Sequence, residues 1–295
     1  MAILAITVII PLSSYWVWAS DASVQFTKEN KPEKLQAISS FYPLYEFAKE
    51  VGQNKVDVHL LIPEGVEPHD WEPTIQDVHQ MQNSDLVIIN GLGFENWVDN
   101  LTDMNYRGIV VDTSHGIFEN KIMEKNTSTG DPHIWLNPKL AKIQVQAIAD
   151  SFSKLDPGNK NFYHANADNY SNRLDHLDSK IRNELNNCNR DFIAFHDAFS
   201  YFADEYDLHQ HTIISSNNEH AEPSAKTLEN VINTAKDLDI KIIFVENVVD
   251  TRISSVIANE IGGKILVLSP LEFGDDGDYI SRMTLNLENL KEALC

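Results

Sequence analysis

The sequence predicts an α/β protein of two lobes with mostly parallel sheets, joined by one long backbone helix. Three observations carry that prediction. Short β-branched runs alternate with helical stretches along most of the 295 residues. That length suffices for two lobes of ordinary domain size. Between the two alternating halves, residues 159–187 contain neither proline nor glycine and carry apolar side chains at helical spacing.

In the first half, strands are expected at 35–39, 56–62, 86–90 and 109–112, with helices at 43–51 and 74–83. Thr74 is a fitting N-cap for the second of these helices. A further helix is expected at 139–155. After the turn Asp156-Pro157-Gly158, the 159–187 helix places Phe162, Tyr163, Tyr170, Leu174, Leu177, Ile181 and Leu185 at helical spacing. At about 1.5 Å per residue it would reach about 43 Å, long enough to run the length of both lobes. In the second half, strands are expected at 192–195, 212–215, 240–245 and 265–268. Helices are expected at 198–206, 224–238, 251–261 and 278–294. The resulting division is 35–157 for an N-terminal lobe, 158–187 for the linking helix and 188–295 for a C-terminal lobe.

Residues 2–19 are mainly apolar and are followed by the small residues Ala19-Ser20-Asp21-Ala22-Ser23. This pattern predicts that 1–23 is a signal peptide or an N-terminal membrane anchor, with 24–34 as a polar tether. An extracytoplasmic location is expected, at the cell surface or in the periplasm. The formal net charge of −21 argues against nucleic acid and anionic membrane as partners. Cys188 and Cys295 have no metal-ligand spacing; a disulfide between them is one alternative, two incidental thiols the other and the favoured one.

Three histidines stand out. His69, His133 and His196 lie 64 and then 63 residues apart, in Pro68-His69-Asp70, Pro132-His133-Ile134 and Phe195-His196-Asp197. Each is read as sitting at a strand end, the edge of a parallel sheet where ligands bind. Prolines at 68 and 73 stiffen the first segment. Neutral imidazole is the commonest nitrogen donor for borderline-soft metals, so three of them suit zinc better than manganese. His79, His164, His176, His209 and His211 are read as lying on polar helix faces or turns.

The segments Pro68-His69-Asp70-Trp71-Glu72-Pro73-Thr74, Asp131-Pro132-His133-Ile134-Trp135-Leu136-Asn137-Pro138 and Phe195-His196-Asp197-Ala198-Phe199 resemble the metal-binding signatures of zinc/manganese solute-binding proteins of ABC importers. Ser39-Ser40-Phe41-Tyr42-Pro43-Leu44, Glu222-Pro223-Ser224-Ala225 and Asn286-Leu287-Glu288-Asn289-Leu290 extend the resemblance over residues 35–294. It implies a metal in the cleft between the lobes and delivery to an ABC permease, by a protein expected to be monomeric. The family commonly adds an acid from the loop after the last strand, but Ser269 stands there. Glu272, Glu246, Glu64, Glu67 or a water remain open as the fourth donor, with Glu272 and water favoured. The resemblance supports zinc, with manganese as the alternative. Zinc importers often carry a His-rich loop before the second histidine, whereas residues 116–130 contain no histidine.

Two other readings compete. Three imidazoles and a water also describe a catalytic zinc in a hydrolase or hydratase. The chain has no His-Glu-x-x-His helix, nucleophile elbow or glycine-rich phosphate loop. Glu219 and Glu222 are the acids nearest to general-base candidates, with capping and solvation as their plainer roles. The third reading is a surface adhesin whose metal is structural.

Overall fold

The computed structural model describes residues 34–63, 65–101, 105–119, 130–214, 223–246, 251–274 and 276–295. The apolar N-terminal segment, most of the 116–130 loop, Glu64, Glu219 and Glu222 lie outside them. No helix among the described residues is long and apolar enough to cross a membrane.

Two four-stranded parallel sheets are built from β1 (Leu35–Ser39), β2 (Val56–Leu60), β3 (Leu86–Ile89) and β4 (Ile109–Asp112), and from β5 (Asp191–Ala194), β6 (His209–Thr212), β7 (Ile242–Val245) and β8 (Lys264–Val267). Their orders are β2-β1-β3-β4 and β6-β5-β7-β8. The same winding thus occurs twice, and each sheet reverses direction between its two central strands. That reversal opens a crevice beyond the strands' carboxyl ends. β3 is buried along its whole length, as a strand covered on both faces must be.

The helices are α1 (Tyr42–Gly52), α2 (Ile75–Gln82), α3 (His115–Glu119), α4 (Pro138–Leu155), α5 (Lys160–Leu185), α6 (Ser200–Tyr206), α7 (Ala225–Asp237), α8 (Arg252–Glu260) and α9 (Tyr279–Leu294). Thr74 caps α2 as expected: its hydroxyl accepts from the Asp77 N–H, and the Asp77 carboxylate accepts from the Thr74 N–H at 2.8 Å. The linking helix α5 is 26 residues, three fewer than expected: Asn159 belongs to a separate 3-10 turn at Pro157–Asn159, and the helix ends at Leu185, two residues early. α5 packs on α1, α4, α6 and α9. One apolar core therefore runs from Phe41 and Phe47 through Tyr170, Leu177 and Ile181 to Phe202 and Leu290. A shared core of this kind joins the lobes more stiffly than a flexible linker would.

Three expectations need correction. β6 is His209–Thr212 rather than 212–215. It is an edge strand, so its polar His209-Gln210-His211 run can pair on one side and meet solvent on the other, which hydrophobic patterning does not detect. His209 and His211 accordingly lie on a strand, not a turn or helix. α3 adds a short helix after β4 that periodicity did not suggest. Finally, Cys188 and Cys295 are not incidental thiols: they form a disulfide between the end of the α5 region and the end of α9. Asn189 N–H donates to Leu294 O beside it, so the backbones already meet there.

Candidate metal centre

His69 lies beyond β2, in the proline-bracketed loop that leads to the α2 cap. The Trp71 N–H closes a turn onto Pro68 O at 3.3 Å, and Asn96 Nδ2 donates to His69 O. The His69 ring meets Phe94 edge-on, 4.7 Å between centroids, and Phe94 packs in turn at tilted and edge-on angles against Phe41 and Trp135. These aromatics form an apolar wall behind the imidazole.

His133 does not follow a strand directly. It occupies the stretch between α3 and α4, entering a 3-10 turn at Ile134–Leu136. Side chains from both lobes pin this stretch. Asn90 Nδ2 donates to Pro132 O at 2.8 Å, and the Tyr201 hydroxyl donates to Asp131 O at 2.9 Å. The His133 side chain is fully buried.

His196 stands two residues past β5, the strand-end setting expected of it. Its carbonyl accepts from Gln210 Nε2, and its Nδ1 bonds to Glu246, which follows β7. β5 and β7 are the neighbours between which the second sheet reverses, so this pair sits at the mouth of its crevice.

Glu272 comes from the loop after β8, only 3% exposed. The chain reaches it through Pro270 and then Leu271, whose φ is +62°. Proline followed by positive φ is the order of a type II turn, usually completed by glycine or asparagine. Holding leucine there costs about 1–2 kcal/mol. Asn286 Nδ2 donates to Ser269 O at 2.7 Å, and Trp135 Nε1 donates to Pro270 O at 2.7 Å.

These four side chains converge, each offering one ligand atom, with all four atoms within 4.8 Å of one another. His133 Nε2 is 3.3 Å from His196 Nε2. Glu272 Oε1 is 3.4 Å from both His69 Nε2 and His133 Nε2. A tetrahedral zinc with bonds of about 2.05 Å has ligand–ligand edges of about 3.3 Å. Three edges of the cluster therefore already have tetrahedral zinc dimensions.

The outward nitrogens of two rings are held by carboxylates. Asp131 Oδ1 lies 2.7 Å from His133 Nδ1, and Glu246 contacts His196 Nδ1. Such pairs fix the tautomer that leaves Nε2 facing inward. Burial alone would lower the imidazole pKa values. For His133 the hydrogen bonds to Asp131 and Glu272 outweigh it, and the group is pushed up to about 10. For His196 the Glu246 carboxylate does the same, to about 9. Burial would raise Glu272, but hydrogen bonds with His133 and His69 hold it well below the ordinary carboxylate range. The cluster is thus an anionic, water-poor pocket that takes up positive charge.

All three histidines singled out in the sequence meet here, and of the open carboxylates among the described residues Glu272 alone joins them. Ser269 does not: its Oγ accepts from the Leu271 N–H and from Arg282 Nη2. Glu246 faces the far nitrogen of His196, and Glu67 accepts from the His69 backbone N–H. Asp131 was missed as the partner of His133, although the Asp-x-His spacing is visible in the sequence.

Residues 38–293 match the family described as zinc-uptake complex component A, periplasmic. The high-affinity zinc uptake system protein ZnuA of Bacillus subtilis is 36% identical over 93% of this chain and 92% of its own. A crystal structure of ZnuA superposes with a TM-score of 0.80 at 31% identity, covering 89% of this chain and 100% of that one. The laminin binding protein Lmb of Streptococcus agalactiae, described as having adhesin and metal transporting activity, gives 0.80 at 29% identity, covering 88% of this chain and 99% of that one. The chain belongs to the periplasmic zinc-uptake component A family, whose members are solute-binding proteins of transporters rather than enzymes.

Proposed function

We propose that His69, His133, His196 and Glu272 hold one zinc ion outside the cytoplasm, and that the protein delivers it as a monomer to an ABC permease. The observation that carries this is the cluster itself: three Nε2 atoms and one carboxylate oxygen within 4.8 Å, in a buried pocket between loops of the two sheets. Three imidazoles and a single carboxylate favour zinc over manganese, which takes more oxygen donors. A one-carboxylate site also balances part of the ion's charge, which lowers the cost of burying it. The disulfide fits an oxidising compartment. Capture needs no general base, and the second carboxylates are engaged in orienting imidazoles.

The test is a competitive titration of zinc against manganese on the purified protein and on its H133A variant. Tight one-to-one zinc binding that exceeds manganese, and that H133A loses, supports the proposal. Manganese preference or unchanged binding in H133A refutes it. The likeness to Lmb favours adhesion as a second activity. Surface binding that survives removal of all three histidines would separate it from metal capture.

A further inference from the structure

We infer that Trp135 is a positioning residue for the fourth ligand: its indole N–H locks the 269–272 turn to the His133 segment and so aims Glu272 at the ion. The inference rests on the reading of Glu272 as a zinc ligand.

Leu271 is a fully buried, non-glycine residue with φ +62°, immediately before Glu272. A leucine relaxes to negative φ unless its neighbours prevent it. That relaxation would turn the backbone at the residue before Glu272 and carry the carboxylate off the three histidines. The turn is held in part from within, where the Leu271 N–H donates to Ser269 Oγ at 3.2 Å, and otherwise from outside. Its two ends are tied to α9: Asn286 bonds both the N–H and the O of Ser269, at 2.9 and 2.7 Å, and Arg282 Nη1 donates to Phe273 O at 2.5 Å. Its middle is tied elsewhere. Trp135 Nε1 donates to Pro270 O at 2.7 Å, at the residue next to the strained one.

Trp135 is itself fixed on three sides. It is fully buried, its carbonyl accepts from the Tyr279 hydroxyl at 2.6 Å, and its ring packs 5.1 Å from the His133 ring, two residues earlier in the chain. One side chain thus ties the backbone that carries the second ligand to the backbone that carries the fourth. The 3.4 Å separation between His133 Nε2 and Glu272 Oε1 is the distance this tie sets.

The decisive experiment is a double-mutant cycle on the full-length protein, reading the zinc dissociation constant by competition with a chelating dye. The variants are W135F, which keeps an aromatic ring but removes the N–H, E272Q, and the double variant. W135F should weaken zinc binding about tenfold or more when Glu272 is present, and less than about twofold in the E272Q background. A purely structural role for Trp135 would weaken binding equally in both backgrounds, and that result, or no weakening at all, would overturn the inference. Unchanged affinity in E272Q alone would instead reject Glu272 as a ligand. Where W135F does not fold, W135M decides in the same cycle: its flexible apolar side chain fills the space without an N–H for Pro270 O, so its loss of affinity too should vanish without Glu272.

Discussion

Zinc must displace protons to enter this pocket, and the number it displaces can be worked out. In the metal-free protein, Asp131 and Glu272 push the His133 imidazole up to about 10, against the opposing effect of burial, and Glu246 pushes His196 up to about 9. Both rings are thus pushed toward the charged form at pH 7, but their Nε2 atoms lie only 3.3 Å apart and each charge opposes the other, so the pair holds at least one proton rather than two in full. Zinc takes the neutral ring, so binding should release at least about one proton. Three histidines at the ordinary value of about 6.5 would each be about one quarter protonated at pH 7, and would release about 0.7 in total. The assay is calorimetric zinc titration in two buffers of different ionisation enthalpy, whose difference gives the proton count. Affinity should rise with pH, by up to about 100-fold per unit where two protons leave. The sign for the metal-free fold is opposite. Raised imidazoles stabilise it fully below about pH 6.5, and that contribution is lost as pH rises toward 9–10. A count of 0.7 or less at pH 7 would refute the reasoning.

Three other outcomes follow from individual contacts. Glu246→Ala should weaken zinc binding about 10- to 100-fold by freeing the His196 ring, with partial rescue in Glu246→Gln, measured by dye competition. Replacing both Cys188 and Cys295 by serine opens a loop of 107 residues. It should cost about 4.7 kcal/mol in urea unfolding on the chain-entropy account. Zinc affinity should stay within about twofold, because the bond joins the segment after α5 to the end of α9, neither of which supplies a ligand. Thr74→Ala removes one half of a reciprocal cap and should cost about 1 kcal/mol in the same unfolding assay.

The architecture was legible because it depends on local pattern. Val87, Ile88 and Ile89 read as a covered strand, Thr74 as a cap, and Tyr170, Leu177 and Ile181 as the inner face of a long helix. The histidines were legible as a recurrent setting, although His133 is placed by tertiary bonds from Asn90 and Tyr201 rather than by a strand end. What stayed hidden depends on distance in space. Glu246 is 50 residues from the ring it orients. Glu272 is legible as a favoured fourth donor, but the positive φ at Leu271 through which the chain brings it to the pocket is not, since no pattern of hydrophobicity announces it. The polar strand β6 and the disulfide likewise owe their form to neighbours remote in sequence.

The ligand set itself is the central claim, and X-ray absorption at the zinc edge on the one-to-one complex tests it most directly. The account predicts four light donors at about 2.0–2.1 Å, with the multiple-scattering signature of three imidazoles and one oxygen. A shell of five or six oxygens, or one with fewer than three imidazoles, would contradict it.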